Sequence, residues 1–262
     1  MKRHKIRKLL LITAFLLFPI TMWYISPYII IQGAMERVIN GSFITFSMML
    51  FCSIFFGRFF CGYLCPAGGL QECAMLVNEK SLKQGWKNNI KYGIWCIWIV
   101  AVVVCFILSK NNVTINPFYM TDHGISVSNI YCYIIYYCVL LLIFIPAVLF
   151  GKRIFCHYFC WMAPFMIIGT KIGELLNLPQ LHIKAEKDKC ISCKQCNRKC
   201  PMSLDVERMA SKGECSNVEC ILCGECVDTC PKKVLRYSME NRGKNDGKRE
   251  ENKSGDFGAV KP

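Results

Sequence analysis

Four long stretches without a charged residue divide the first part of the chain. They run from Leu9 to Ile31, from Gly41 to Gly57 (continuing through Arg58 into Phe59-Phe60), from Tyr92 to Ser109, and from Ile125 to Gly151. Within the last, Ile130 to Phe150 is the expected helix. Four such runs leave too few polar faces to cover a soluble surface. A helix needs about 20 apolar residues to cross a ~30 Å hydrocarbon core. The pattern therefore predicts four membrane-spanning helices. Pro19, Pro27 and Pro146 are expected to kink or end helices without preventing them. The first run is too long for the apolar part of a signal peptide. It ends Ser26-Pro27-Tyr28-Ile29, without a small-x-small cleavage site, so it reads as an uncleaved span. Ile154 to Thr170 is also uncharged, but Pro164 and Gly169 interrupt it, and it reads as an interfacial or re-entrant piece.

Composition points the same way. The 262 residues are 53% hydrophobic and 19% charged, with a mean hydropathy of +0.31; soluble domains carry about 25% charge. The net charge of +14 would suggest a nucleic-acid partner, but the positions of the charges argue otherwise. Lys2, Arg3, Lys5, Arg7, Lys8, Arg58, Lys80, Lys83, Lys87, Lys91, Lys152 and Arg153 fall on one side of the four runs; Arg37 and Lys110 fall on the other. By the positive-inside rule both termini are cytoplasmic in a multi-pass protein of the cytoplasmic (inner) membrane. The basic excess is then a topology signal and a contact for anionic lipid, with no nucleic acid implied.

Beyond Leu178-Pro179 the composition changes. Cys190, Cys193, Cys196, Cys200 and Pro201 form C-x2-C-x2-C-x3-C-P, and Cys220, Cys223, Cys226, Cys230 and Pro231 repeat it. This is the run of bacterial two-cluster ferredoxins, in which the fourth cysteine of each run ligates the other cluster. The expected ligands are Cys190, Cys193, Cys196 and Cys230 for one 4Fe–4S cluster, and Cys220, Cys223, Cys226 and Cys200 for the second. Zinc, the rival for a single such run, is disfavoured by two complete ones. Cys215 matches no ligand position and reads as a free thiol.

A second cysteine pattern closes the second and fourth apolar runs. Arg58-Phe59-Phe60-Cys61-Gly62-Tyr63-Leu64-Cys65-Pro66 aligns with Arg153-Ile154-Phe155-Cys156-His157-Tyr158-Phe159-Cys160-Trp161 at a constant offset of 95. The simplest account is a two-span hairpin repeated in one orientation, about an axis along the membrane normal. If helical, cysteines at i and i+4 share a face. Cys61, Cys65, Cys156 and Cys160 are thus a candidate third site: a metal, a cluster, or a pair of redox-active dithiols. His157 is weighed as an extra ligand, with a hydrogen-bonded interfacial histidine preferred. The other cysteines of the spans are assigned to packing.

The resulting fold class is a membrane all-α protein of four transmembrane helices in two repeated hairpins, plus a small α+β two-cluster ferredoxin-like domain. The expected divisions are a basic N-terminus (1–8), a membrane domain (9–178), the ferredoxin-like domain (184–237) and a disordered polar tail (240–262).

The paired C-x3-C motifs and the tandem cysteine runs resemble the NapH-type membrane ferredoxins, over roughly residues 9 to 237. The second motif departs from the first in having Trp161 where the first has Pro66. NosR-type and CcoG-type relatives carry extra domains that this chain does not match. The resemblance implies two 4Fe–4S clusters and electron transfer at the inner membrane, associated with quinol oxidation. A redox partner protein, quinone and membrane lipid are the expected partners. Two further readings stand beside this one. One is a cupric reductase or assembly factor using the membrane-edge cysteines; the other is a redox sensor or scaffold subunit.

Overall fold

The computed structural model describes residues 2–82, 85–213, 215 and 217–241. The first apolar run is not one rod. Helix α1 (Lys2–Leu16) ends at a bend of 59° into α2 (Phe18–Thr21) and a 3₁₀ turn over Met22–Ile25. Helix α3 (Pro27–Glu36) then follows. Both breaks lie at prolines: Pro19 lies in the first turn of α2 and Pro27 in that of α3, where their missing N–H groups cost nothing. Helix α4 (Gly41–Phe56) is capped by Asn40, whose Oδ1 accepts from the Phe43 amide at 2.9 Å. Helices α7 (Ile90–Leu108) and α8 (Ile130–Phe150) come close to the predicted third and fourth spans, and Pro146 sits inside an unbroken α8.

Two helices, Trp86–Leu108 and Ile130–Phe150, are long and apolar enough to cross a membrane, and the bent first pair makes up to three. Helix α4 is apolar too, but at 16 residues it is too short to count with them, so the described helices supply two or three of the four expected spans. Ile97, Val100, Ile107, Ile134, Leu142 and Leu149 lie exposed on α7 and α8. A surface this apolar suits lipid. Beyond the spans, strands β1 (Val38–Asn40) and β2 (Thr114–Asn116) pair in parallel at the end away from the cysteines.

The repeat is visible in three dimensions. After α4 come α5 (Phe59–Tyr63) and α6 (Pro66–Ala74); after α8 come α9 (Ile154–Tyr158) and α10 (Ala163–Leu175). Helix α10 packs along α4, and α6 along α8, so each copy's last helix lies on the other copy's long helix. The segment read as interfacial or re-entrant is therefore two short helices. Of these, α10 is seated on α4 through glycines: a Cβ on Gly169 would lie 2.6 Å from the Leu50 carbonyl oxygen, and one on Gly173 would lie 2.4 Å from that of Ile54.

The cysteine-rich region is framed by β3 (Pro179–Ala185) and β4 (Leu235–Asn241), an antiparallel pair from Pro179↔Asn241 to Ala185↔Leu235. Its order thus extends past the expected 184–237 limits. Glu240 and Asn241, expected in a disordered tail, are paired strand residues, because the ladder continues to the far end of β3. The rest of that expected tail, 242–262, lies outside the described residues. Between the strands lie α11 (Gln195–Lys199), α12 (Val206–Ala210) and α13 (Glu225–Thr229). One buried core runs from Phe46 and Ile143 through the membrane-edge cysteines to Ile183, Ile221 and Leu235. The two parts therefore share a single interior.

Candidate metal centres

Each cysteine run folds as a tight loop followed by a five-residue helix. The loops need left-handed backbone at matching places: Ser192 and Leu222 (φ 50° and 52°), Lys194 and Gly224 (57° and 77°), and Ser203 and Lys233 (49° and 50°). Only Gly224 adopts this freely. The other five residues carry a cost of about 1 kcal/mol or more each, tolerated where a loop must wrap a bound group. Cys190, Cys193, Cys196 and Cys230 line one narrow cavity, of about 20 Å³. Cys200, Cys220, Cys223 and Cys226 line a second, of similar size. In each cavity the fourth cysteine comes from the other run, carried across by the packing of α11 against α13. Burial pushes the Cys200 thiol up to about 11 and drives Cys223 and Cys226 upward too. A bare thiolate is disfavoured in such a place, whereas a thiolate on an iron–sulfur core is neutralised by the metal. Among the described residues no three histidine, cysteine or carboxylate side chains converge as they would on a single metal ion. The cysteines surround cavities instead. Cys215 also lines the second cavity, a placement its spacing did not reveal.

At the membrane edge Cys61, Cys65, Cys156 and Cys160 are all buried, with 2% to 4% exposure. They do not share helix faces as i, i+4 pairs. Cys61 lies in α5 and Cys65 just before α6; Cys156 lies in α9 and Cys160 between α9 and α10. The helix breaks after Tyr63 and Tyr158 turn each second cysteine inward. Burial drives the Cys160 thiol up to about 12 and the Cys65 thiol well above its usual range, with the neighbouring thiols adding to both. Gln71, fully buried, donates to Cys156 Sγ at 3.2 Å and accepts from the Phe155 amide at 3.1 Å. His157 is buried, and desolvation lowers its ring to about 4, so it is neutral.

Cations ring this cluster. Arg58 Nη1 lies 2.7 Å from Glu219, which also pairs with Lys91. Arg153 donates to the Cys61 carbonyl oxygen at 2.8 Å and pairs with Glu72, which Arg7 also holds at 2.6 Å. Arg7 reaches Glu225 as well, at 2.7 Å. Several charges that sequence alone assigns to topology are thus specific buried partners. The carboxylates that receive them lie 65 to 218 residues away in the chain, beyond the reach of local pattern. The matched positions of Arg58 and Arg153 in the repeat were the one available signal.

The two groups of cysteines adjoin. Gly62, inside the first C-x3-C motif, lies against the loop of the second cavity: a Cβ there would be 2.3 Å from the Ile221 carbonyl oxygen, with Cys223 Cα at 3.5 Å. Tyr63 and Tyr237 donate to the carbonyl oxygens of Cys223 and Leu222 at 3.5 and 2.6 Å. Next to the membrane-edge cysteines an apolar cavity of about 300 Å³ is lined by Phe18, Trp23, Ala67, Ile143, Phe155 and Trp161, among others. Phe155 and Trp161 in its wall are the chain neighbours of Cys156 and Cys160.

Comparison with known proteins bears on both groups. A family model described as a 4Fe-4S binding domain matches twice, over residues 41–83 and 133–175. Another, described as a 4Fe-4S dicluster domain, matches residues 183–235. Two uncharacterized proteins of Methanocaldococcus jannaschii are similar. One is 26% identical over 172 residues, covering 62% of this chain and 66% of the relative; the other is 25% identical over 225 residues, 81% of each. The chain thus spans just under two thirds of the first relative's length. No solved structure matches. The chain is a 4Fe–4S cluster-binding protein, mostly helical, with helices fit to cross a membrane.

Proposed function

We propose that this chain is a membrane-embedded electron carrier of the NapH type. Four spans would hold its two-cluster domain against the cytoplasmic face of the inner membrane. Cys190, Cys193, Cys196 and Cys230 would hold one 4Fe–4S cluster, and Cys220, Cys223, Cys226 and Cys200 the other. The observation that carries this reading is that each quartet, with its exchanged fourth cysteine, lines a cavity of its own. Such clusters supply reversible one-electron storage. The chain's own residues exclude water, hold the thiolates, and set the potential through amides, burial and nearby cations.

The membrane-side partner is proposed to be a quinone or quinol, and the other side a redox partner protein. The apolar cavity at Trp23, Phe155 and Trp161 supports a quinone. Its position beside the membrane-edge cysteines, with the second ferredoxin loop seated on Gly62, supports a route between lipid and the clusters. A cupric reductase acting through Cys61, Cys65, Cys156 and Cys160 would need thiols that a dissolved ion can reach, and their burial weighs against it.

The test is anaerobic purification in detergent with iron and labile-sulfide counting. The reading expects at least about eight irons per chain, and EPR signals of two interacting clusters after reduction, lost on adding a water-soluble quinone. Zinc or metal-free protein from anaerobic cells would overturn it.

A further inference from the structure

We infer that Cys215 serves the second cluster without ligating it: its thiol S–H donates to the cluster's sulfur and raises that cluster's potential. The inference deepens the proposed function and rests on it for the presence of two clusters in the chain.

The first argument is the chemistry of the cavity wall. Cys215 lines the second cavity together with Cys200, Cys220, Cys223 and Cys226, and is 4% exposed. A 4Fe–4S cluster takes four thiolates, and the exchanged quartet supplies them. The fifth thiol is left over as a wall residue. The other described residues of that wall, such as Ile183, Met202, Leu204, Val206 and Met209, carry no side-chain N–H or O–H. Outside the quartet, Cys215 is therefore the one side chain among the described lining residues that can donate. The first cavity differs: Ser192, Lys194, Gln195 and Lys232 line it, and Cys193 is exposed. A cluster there meets polar side chains and water. A cluster in the second cavity gains an electron, and with it a negative charge, among apolar groups, which disfavours reduction. A thiol is a weak donor in water, but its bond to sulfur counts for more in such surroundings.

The second argument is position. The Cys215 amide donates to the Ile183 carbonyl oxygen at 3.0 Å, and the Ala185 amide to that of Gly213 at 3.1 Å. These bonds pin Cys215 against β3, beside Ile183, which lines the same cavity. Cys215 is near enough for its charge to act on Cys226. Cys215 stands five residues before Cys220, and Ala185 stands five before Cys190. The first run thus has no counterpart, and the thiol distinguishes the two clusters. The second cluster is also the one whose loop adjoins Gly62 and the membrane-edge cysteines. The thiol draws an electron toward that cluster. The electron passes with no bond made or broken, and the thiol keeps its proton.

Midpoint potentials of both clusters are read by EPR-monitored redox titration of full-length protein purified anaerobically in detergent, beside Cys215→Ala and Cys215→Ser. Cys193→Ser, which alters a proposed ligand of the first cluster alone, assigns the signals. Cys215→Ala is expected to keep about eight irons, lower the second cluster's midpoint and leave the first in place. Cys215→Ser, which keeps a donor, should recover most of the drop. A drop that serine does not recover marks a packing effect and overturns the inference. An unmoved second midpoint in Cys215→Ala at about eight irons overturns it and leaves the two-cluster reading intact. Loss of about four irons from Cys215→Ala overturns it as well, by making Cys215 a ligand. Fewer than about eight irons in the wild type overturns the two-cluster reading, and the inference with it. If neither variant folds, the wild type decides. Its redox-difference infrared spectrum should show an S–H stretch moving to lower frequency as the second cluster is reduced, and a spectrum without that change overturns the inference.

Discussion

Glu72 is held by two arginines from different parts of the chain, Arg7 and Arg153, each at most 2% exposed. Burial alone would raise its carboxyl, but Arg153 and Arg7 outweigh that and hold it below the usual carboxylate range. Removing this carboxylate leaves two buried guanidiniums facing each other. Glu72→Gln should therefore cost about 3–5 kcal/mol, read as a lower unfolding midpoint in detergent. A depressed carboxyl contributes stability that is fully present above its unfolded value of about 4.3 and is lost as pH falls through the folded value. The gap between wild type and Glu72→Gln should be full at neutral pH and narrow in acid; a gap that widened in acid would refute the pairing. By contrast Arg3→Ala, which removes a partly exposed pair with Asp228, should cost no more than about 1 kcal/mol.

The long elements show what local pattern can and cannot specify. Ile130–Phe150 was legible because one uninterrupted apolar run sets both ends of α8. The grouping of the eight cysteines into two quartets, each around its own cavity, was legible because three cysteines fall within seven residues, a spacing only a tight loop can use. The bend after Leu16 was half legible: the prolines announced breaks, but the 59° angle depends on how Phe18, Met22 and Trp23 pack with Tyr136. The seat of α10 was not legible, since Gly169 read as an interruption of an apolar run. In the structure Gly169 and Gly173, four apart, let α10 approach the backbone of α4 closely. Gly169→Val would drive a side chain into the Leu50 carbonyl and Ser53. Overpacking of this kind costs about 1–3 kcal/mol. Because α10 follows the second cysteine motif directly, the variant should also lose iron from any centre at Cys156 and Cys160 before the ferredoxin signals weaken. Unchanged melting and iron content would show that α10 does not depend on this contact.

At the scale of the molecule, the cysteine-rich region is bound to the helical part by many small ties. Arg3 and His4 reach Asp228 and Glu225; Gln180 donates to Ile54 and Thr170 carbonyl oxygens at 2.8 Å; Tyr237 meets Tyr63. Within itself the region is thin: a two-stranded sheet, three five-residue helices, and two cysteine-lined cavities where a core would be. So few apolar residues cannot offset the chain entropy of about 50 ordered residues without help from ligand binding. The helical part has no such need, because its apolar surface is satisfied by packing and by lipid or detergent. Stripping the iron with a strong chelator under reducing conditions should therefore unfold one part and spare the other. Protease should then cut between Ala185 and Leu235, while α7 and α8 survive as protected fragments and most helical dichroism remains. The strands β3 and β4, released from the loops between them, should lose amide protection together. Restoring iron and sulfide should restore resistance. Continued resistance without iron would mean that packing against Gly62, Tyr63 and α1 suffices to fold the region, and that its cavities are not what holds it together.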